Sequence, residues 1–269
     1  MHAIQFIELA FQRAANAMVA RWPRAIPGKE RLSQCKLIAH RGDHLGSSSM
    51  ENTLDAFQAS MDAGVWGIEL DIRWTRDLVP VVAHDADLLR LHGDPRTIQS
   101  LSFAALQERY PTIPALEEVV SRFGGRPHLM IEIKQQPWPD LNRQNDRLCQ
   151  VLAPLAPTVD YHLLCMQPHP LRGLVFAPSQ AKALIAYHWP DKLSRYVMDN
   201  QWAGLCGHYL LMHGAILRRH RRRRQRIGAG FVDSLNCLFR ELHREIDWIF
   251  SNSAAELQTW INRYTASTH

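Results

Sequence analysis

Between residues 37 and 85 the chain gathers His40, Arg41, Glu51, Glu69, Asp71 and His84, side chains that hold cations, neutralise anions and move protons. Glu69 and Asp71 stand two apart in the apolar run GIELDIR (67–73). Read as a strand, that run aims both carboxylates at one side of a sheet, because side chains alternate with a period of two. Buried together, the two acids repel each other, and a divalent cation is the simplest relief. Oxygen donors of this kind suit Mg²⁺ or Ca²⁺ better than zinc. An E-x-D pair by itself is ordinarily solvated; the histidines and arginine around this one set it apart. Further on, HLMIEIK (128–134) repeats the pattern. Glu132 adds a third carboxylate, and Lys134 puts a positive charge on the same face.

Elements that position these groups follow from the flanking pattern. The apolar run 37–39 ends at His40-Arg41-Gly42, as a buried parallel strand does when it delivers polar groups to a site. After a Gly/Ser loop, Glu51-Asn52-Thr53 precedes Leu54, Phe57, Met61 and Val65 at helical spacing, with Gly64 as the stop and Asn52 as an N-cap. Residues 74–77 then turn directly into VPVVAHD (79–85). That connection is too short for a crossover, so it predicts a hairpin that brings His84 to the cleft of His40. Residues 86–113 read as a short polar insertion over the active face, with one weak helix at 102–109. Five more strand-like runs follow (161–166, 181–187, 207–212, 228–232 and 247–251), each with a helical segment behind it. Together with the three parallel strands before them they make eight β/α units and predict a TIM (β/α)8 barrel. In that fold the strand C-termini carry the site, which is where His40, Glu69, Asp71, Glu132 and Lys134 stand.

In this order, His40-Arg41-Gly42, Glu51-Asn52-Thr53, Glu69-x-Asp71, Thr75-x-Asp77, His84-Asp85 and Glu132-x-Lys134 resemble the glycerophosphodiester phosphodiesterase family. The spaced combination is far more specific than any one part of it. The resemblance implies metal-dependent hydrolysis of glycerophosphodiesters to glycerol 3-phosphate and an alcohol. One divalent cation, Mg²⁺ or Ca²⁺, would sit on Glu69, Asp71 and Glu132, with Arg41 and Lys134 on the substrate phosphate and Glu51 anchoring Arg41 from behind. His40 and His84 would be the general acid/base pair, in an order the sequence leaves open. Two other readings stand beside this one: lysophospholipase D-type activity on lysophospholipids, and a barrel without turnover that binds phosphate esters or membranes. Met50 replaces a usual proline. Cys165-Met166-Gln167, Phe231-Val232-Asp233-Ser234 and Ser251-Asn252 also depart from the family pattern. These departures are expected at the rim, where they bear on the alcohol bound rather than on the reaction. Phe231 or Trp74 would serve either as an apolar wall or in core packing.

A length of 269 residues with 46% hydrophobic content accommodates one large α/β domain. The reading divides the chain into an N-terminal amphipathic helical extension (1–35) and the barrel (36–269). Five scattered cysteines without C-x-x-C spacing indicate neither a zinc site nor a disulfide framework. A reducing, cytoplasmic compartment is expected. The first residues are interrupted by Gln5, Glu8, Gln12 and Arg13, so they lack the apolar core of a signal peptide or membrane span. Ile4, Ile7, Phe11, Met18 and Trp22 form one helical stripe. It would close one end of the domain, or lie on a membrane with Arg13, Arg21 and Arg24 at the headgroups. The formal charge is +5, and the run 218–226 (RRHRRRRQR) alone holds seven arginines, so the remainder is slightly acidic. Lying between the sixth helix and the seventh strand, the run belongs to the face opposite the chemistry. It reads as a solvated helix end or a contact with the anionic inner face of a membrane, jointly with the N-terminal helix. Nucleic acid is the weakest reading, since no recognition fold accompanies the patch.

Overall fold

The computed structural model describes residues 14–45 and 49–267. Eight parallel strands form its centre: β1 (Leu37–His40), β2 (Gly67–Trp74), β3 (His128–Ile133), β4 (Tyr161–Cys165), β5 (Lys182–Ala186), β6 (Gly204–His208), β7 (Arg226–Gly230) and β8 (Trp248–Ser251). Each pairs with the next, and β1 pairs with both β2 and β8, so the sheet closes on itself and leaves no edge. A helix follows each strand: α1 (Leu54–Asp62), α2 (Leu116–Phe123), α3 (Leu141–Leu152), α4 (Pro168–Gly173), α5 (Pro190–Asp199), α6 (Gly214–Arg222), α7 (Leu235–His243) and α8 (Ala254–Ala266). This is the expected (β/α)8 barrel. Every residue of β2 and β3 is buried, because helices cover the outside while Ile38, Met130, Leu164, Cys206, Trp248 and Phe250 fill the interior.

Closure places the polar groups. In the β1–β2 register His40 lies opposite Glu69, and in β2–β3 Asp71 lies opposite Glu132. At the end of β1 the chain turns through Arg41 (φ 59°) and Gly42 (φ 77°). A Cβ on Gly42 would stand 2.8 Å from the backbone carbon of Ala56, so only glycine fits this turn against α1. Thr53, not Asn52, caps α1 by accepting from the amide of Ala56. The strand Pro80–Val82 runs antiparallel to β2, as its short connection predicts.

Three expectations change. Residues 87–113 carry the expected helix (Phe103–Arg109) but are more than a polar loop: an antiparallel pair (Asp87–Leu88 with Asp94–Thr97) joins it, and Leu88, Ile98, Leu101, Leu106 and Ile113 are buried with Val81 in a cluster of their own. The sixth strand begins at Gly204 rather than 207. Its sequence GLCGH has little strand propensity, yet Gly204 is needed where β6 meets β7, since a Cβ there would collide with the carbonyl of Arg226. Tyr209 and Met212, which read as strand, instead turn inward and are fully buried. The N-terminal helix does not close the bottom of the barrel among the described residues. Residues 14–20 are helical. Asn16 donates to Asp233 beyond β7, Ala20 accepts from Asn236, and Ala25 accepts from His243. The segment therefore runs down α7 from the mouth, and the arginine run lies at the opposite end. Ile4, Ile7 and Phe11 of the stripe, and Arg13 of the arginines expected at the headgroups, fall outside the described residues. Met18 and Trp22 are exposed. All five cysteines are free, and no described helix is long and apolar enough to cross a membrane.

Candidate active site

At the C-terminal mouth, β2 and β3 bring Glu69, Asp71 and Glu132 together, with carboxylate oxygens all within 4.8 Å of one another. The three are at most 8% exposed. Among the described residues Glu69 Oε1 has no hydrogen-bond partner. Burial, then the neighbouring charges of Asp71 and Glu132, push the Glu69 carboxyl well above its ordinary value. Burial acts on Asp71 in the same direction, but Lys134 and Arg41 outweigh it and hold Asp71 well below the carboxylate range. Three buried acids within reach of one another, one of them with an orphaned oxygen and its ionised form disfavoured, make a donor set that a cation would satisfy. The donor set fits a hard divalent cation.

Positive charge frames the triad. Lys134, immediately after β3, donates to Glu132 (2.8 Å) and lies 3.2 Å from Asp71. The Arg41 backbone amide donates to Glu69, while its guanidinium donates to Glu51 (3.0 Å) and approaches Asp71 at 3.4 Å. Glu51 also accepts from both Arg90 amino groups, and Arg90 in turn bonds Asp85. The residues singled out in sequence thus lie around one cavity of about 600 Å³, lined by His40, Arg41, Glu69, His84, Glu132 and Lys134, with Glu51 and Asp71 behind.

The two histidines are held differently. His40 Nδ1 donates to Asn252 Oδ1 (2.7 Å). The orientation of Asn252 is determined by Asp233, which accepts from its side-chain amide (3.1 Å) and its backbone amide (2.8 Å), and from Ser251. Nε2 of His40 is therefore the unprotonated nitrogen, 3.9 Å from Glu69. Burial, then the Arg41 charge, push the ring down to about 3, so it is neutral. His84 follows the strand Pro80–Val82, and its Nδ1 bonds the Asp85 carboxylate (2.8 Å) while Arg73 Nε holds its backbone carbonyl (2.8 Å).

Several participants escaped the sequence reading. Asn252 and Asp233, expected to bear only on the alcohol, act on His40 from behind: Asn252, oriented by Asp233, holds Nδ1, the nitrogen opposite the free Nε2. Asn52 bonds the Asp71 carboxylate (2.9 Å) and receives the Asp71 amide, so it orients Asp71 instead of capping a helix. Arg90 and Arg73 carried no motif signal. His208, at the end of β6, lines the cavity; its Nδ1 accepts from the Leu210 amide and its Nε2 has no partner among the described residues. Phe231 packs edge-on against His40 at 5.6 Å and lines the cavity, whereas Trp74 is core, packed on Trp138.

An eight-stranded parallel barrel with an acidic triad and two imidazoles at its mouth defines a (β/α)8-barrel protein with a cation-type centre. Residues 40–157 match the sequence model of the Glycerophosphoryl diester phosphodiesterase family. It is 34% identical over 110 residues to a glycerophosphodiester phosphodiesterase of Caldanaerobacter subterraneus, covering 36% of this chain and 44% of the relative. To human lysophospholipase D GDPD3 it is 44% identical over 72 residues, 26% of this chain and 22% of that one. The chain thus spans less than half the length of these relatives. Among solved structures, a glycerophosphodiester phosphodiesterase from Thermotoga maritima has a TM-score of 0.69 at 22% identity, covering 82% of this chain and 96% of that one. An Oleispira antarctica phosphodiesterase in complex with its product sn-glycerol-3-phosphate also gives 0.69, at 23% identity, over 84% and 96%. These likenesses carry the fold.

Proposed function

We propose that this chain hydrolyses glycerophosphodiesters to glycerol 3-phosphate and an alcohol, with one divalent cation, Mg²⁺ or Ca²⁺, held by Glu69, Asp71 and Glu132. The observation that carries the reading is the meeting of those three acids, Arg41, Lys134, His40 and His84 around one cavity. A phosphodiester resists attack because its anion repels nucleophiles and its alkoxide leaves poorly. The bound cation would withdraw charge from a non-bridging phosphate oxygen. Lys134 and Arg41 add fixed positive charge where negative charge grows, and Glu51 with Arg90 keeps Arg41 in place. His40, neutral with its free Nε2 toward the cavity, takes the proton from the attacking oxygen. His84, whose Nδ1 bonds the Asp85 carboxylate, gives a proton to the departing alcohol as the phosphorus–oxygen bond breaks. The product named in the Oleispira complex supports this substrate class.

A second reading rests on the far wall. Met166, Ile185, Leu210, Phe231 and Phe250 make that side of the cavity apolar, the chemistry that would receive an acyl chain. It favours lysophospholipids as further substrates, in line with the human relative's name. Turnover of glycerophosphocholine, glycerophosphoethanolamine and lysophosphatidylcholine, each with Mg²⁺, Ca²⁺ or chelator, separates the possibilities. Hydrolysis that chelator stops supports the proposal, and binding of all three without turnover leaves a non-catalytic barrel.

A further inference from the structure

The arginine run does more than solvate a helix end. At the N-terminal ends of the strands, opposite the mouth, lies a second cavity of about 630 Å³, lined by Lys36 from the start of β1 and by Arg223, Arg224 and Arg226 from the run, with Trp66 and His162 among its walls. Arg219, Arg221 and Arg226 pair with Asp191, Glu245 and Asp247, whereas Arg223 and Arg224 meet no carboxylate among the described residues. Neither does Lys36, whose ammonium rests over the Trp66 ring at 4.9 Å. The nearby acids are engaged. Asp247 accepts from Arg226 (2.8 Å) and from the Ile227 amide (2.9 Å), and Asp160 accepts from the Ala156 amide (2.8 Å). Positive charge is therefore in excess.

The wall adds a pair of largely buried histidines. His128 donates from Nδ1 to the Val159 carbonyl (2.8 Å), so its Nε2 must accept from His162 Nδ1 (2.8 Å). His162, only 7% exposed, is left with an uncommitted Nε2. Burial, then His128, Lys36 and Arg226, hold the His162 ring down to about 3, and burial followed by Arg226 lowers Lys36 as well. His162 is thereby neutral, and Lys36, opposed by burial and by Arg226, is the cation that gains from an anion placed in the cavity.

We propose that this cavity is a second, non-catalytic binding site for a phosphate-bearing anion, with the phosphate held by Lys36, Arg223 and Arg224. Arginine forks match phosphate oxygens in pairs, and lysine adds a point charge. The volume, within the range of small-molecule sites, accommodates an organic remainder beyond the phosphate. The anion is either a free phosphate ester or a lipid headgroup, and the chemistry of recognition is the same for both.

The test is calorimetric titration of the metal-free full chain with inorganic phosphate and with phenyl phosphate. Lys36→Met and the double change R223E/R224E should each weaken binding about tenfold or more, as loss of a charge-assisted bond does. The double change R218E/R222E alters charge equally on α6 just before those two residues but outside the cavity lining, and should leave affinity within about twofold of the parent. Equal losses in the two doubles, or unchanged binding by Lys36→Met, would overturn the site. So would binding abolished by Lys134→Met, which would put the anion at the mouth. Sedimentation with phosphatidylcholine vesicles containing phosphatidic acid identifies the source. Co-sedimentation lost in R223E/R224E indicates a lipid headgroup, and no co-sedimentation beside phosphate binding in solution indicates a free ester.

Discussion

Asp233→Asn should disable His40 from a distance. Asp233 only accepts, so Asn252 turns its NH₂ toward Asp233 and its oxygen toward His40 Nδ1. An asparagine at 233 that keeps its oxygen on the Asn252 backbone amide presents an NH₂ to the NH₂ of Asn252. The Asn252 amide then rotates and offers a donor to His40 Nδ1. The ring answers by moving its proton to Nε2, the nitrogen that should receive one in the reaction. One mis-set buried hydrogen bond costs ~1–3 kcal/mol, which lowers kcat about 10- to 100-fold at ~1.4 kcal/mol per decade. KM should change little, because Asp233 is not among the residues that line the cavity. Steady-state turnover of glycerophosphocholine at saturating metal measures this, with calorimetry of metal binding as the control. A folded Asp233→Asn protein with kcat within about twofold of the parent, or a loss confined to KM, refutes the relay.

His40→Ala and His84→Ala should each lower kcat by about 10² to 10⁴ while metal binding persists; near-parental turnover in either rules out the acid/base pair. Glu69→Gln removes an acid that burial and two neighbours disfavour, so it should raise the melting temperature of the chelated protein while abolishing stabilisation by Mg²⁺ or Ca²⁺, both read in one thermal scan. Gly42→Ala adds a Cβ at positive φ against Ala56 and should cost at least about 1 kcal/mol in urea unfolding, together with activity lost through displaced Arg41. Acid should destabilise the fold. Burial holds His128 and His220 down to about 4 and His162 to about 3, against an ordinary value of 6.5. The unfolded chain therefore binds more protons between those values, and stability falls as pH drops from 6.5 toward 4. Urea midpoints at about pH 7.5 and about pH 5 check this, and an unchanged midpoint contradicts it.

Glu69 with Asp71 and Glu132 with Lys134 were legible because a strand's alternation is local: two residues apart means the same face in any sheet. The hairpin that carries His84 was legible too, since a turn that short admits nothing else. Asn252 gave no such sign. It meets His40 across 212 residues, through the closure of β1 onto β8, and an asparagine after a strand looks like any other loop polar. The sixth strand was read late because its glycines serve a close approach to β7, a need invisible without the neighbour. Likewise the arginine run announced its charge, while its meeting with Lys36 and His162 in one cavity depends on how the strand ends gather.

The order of residues by itself determined the kinds of groups available, the faces they share and the eight-unit barrel, all of which follow from periodicity and short connections. The tertiary structure alone decided which nitrogen of His40 is left bare, that Asn52 serves Asp71, and that the N-terminal segment descends from the mouth. Those outcomes depend on packing between segments that meet only in the folded barrel, 19 residues apart for Asn52 and Asp71 and 212 for His40 and Asn252, where side-chain shape and hydrogen-bond satisfaction act through space and local pattern carries no trace of them.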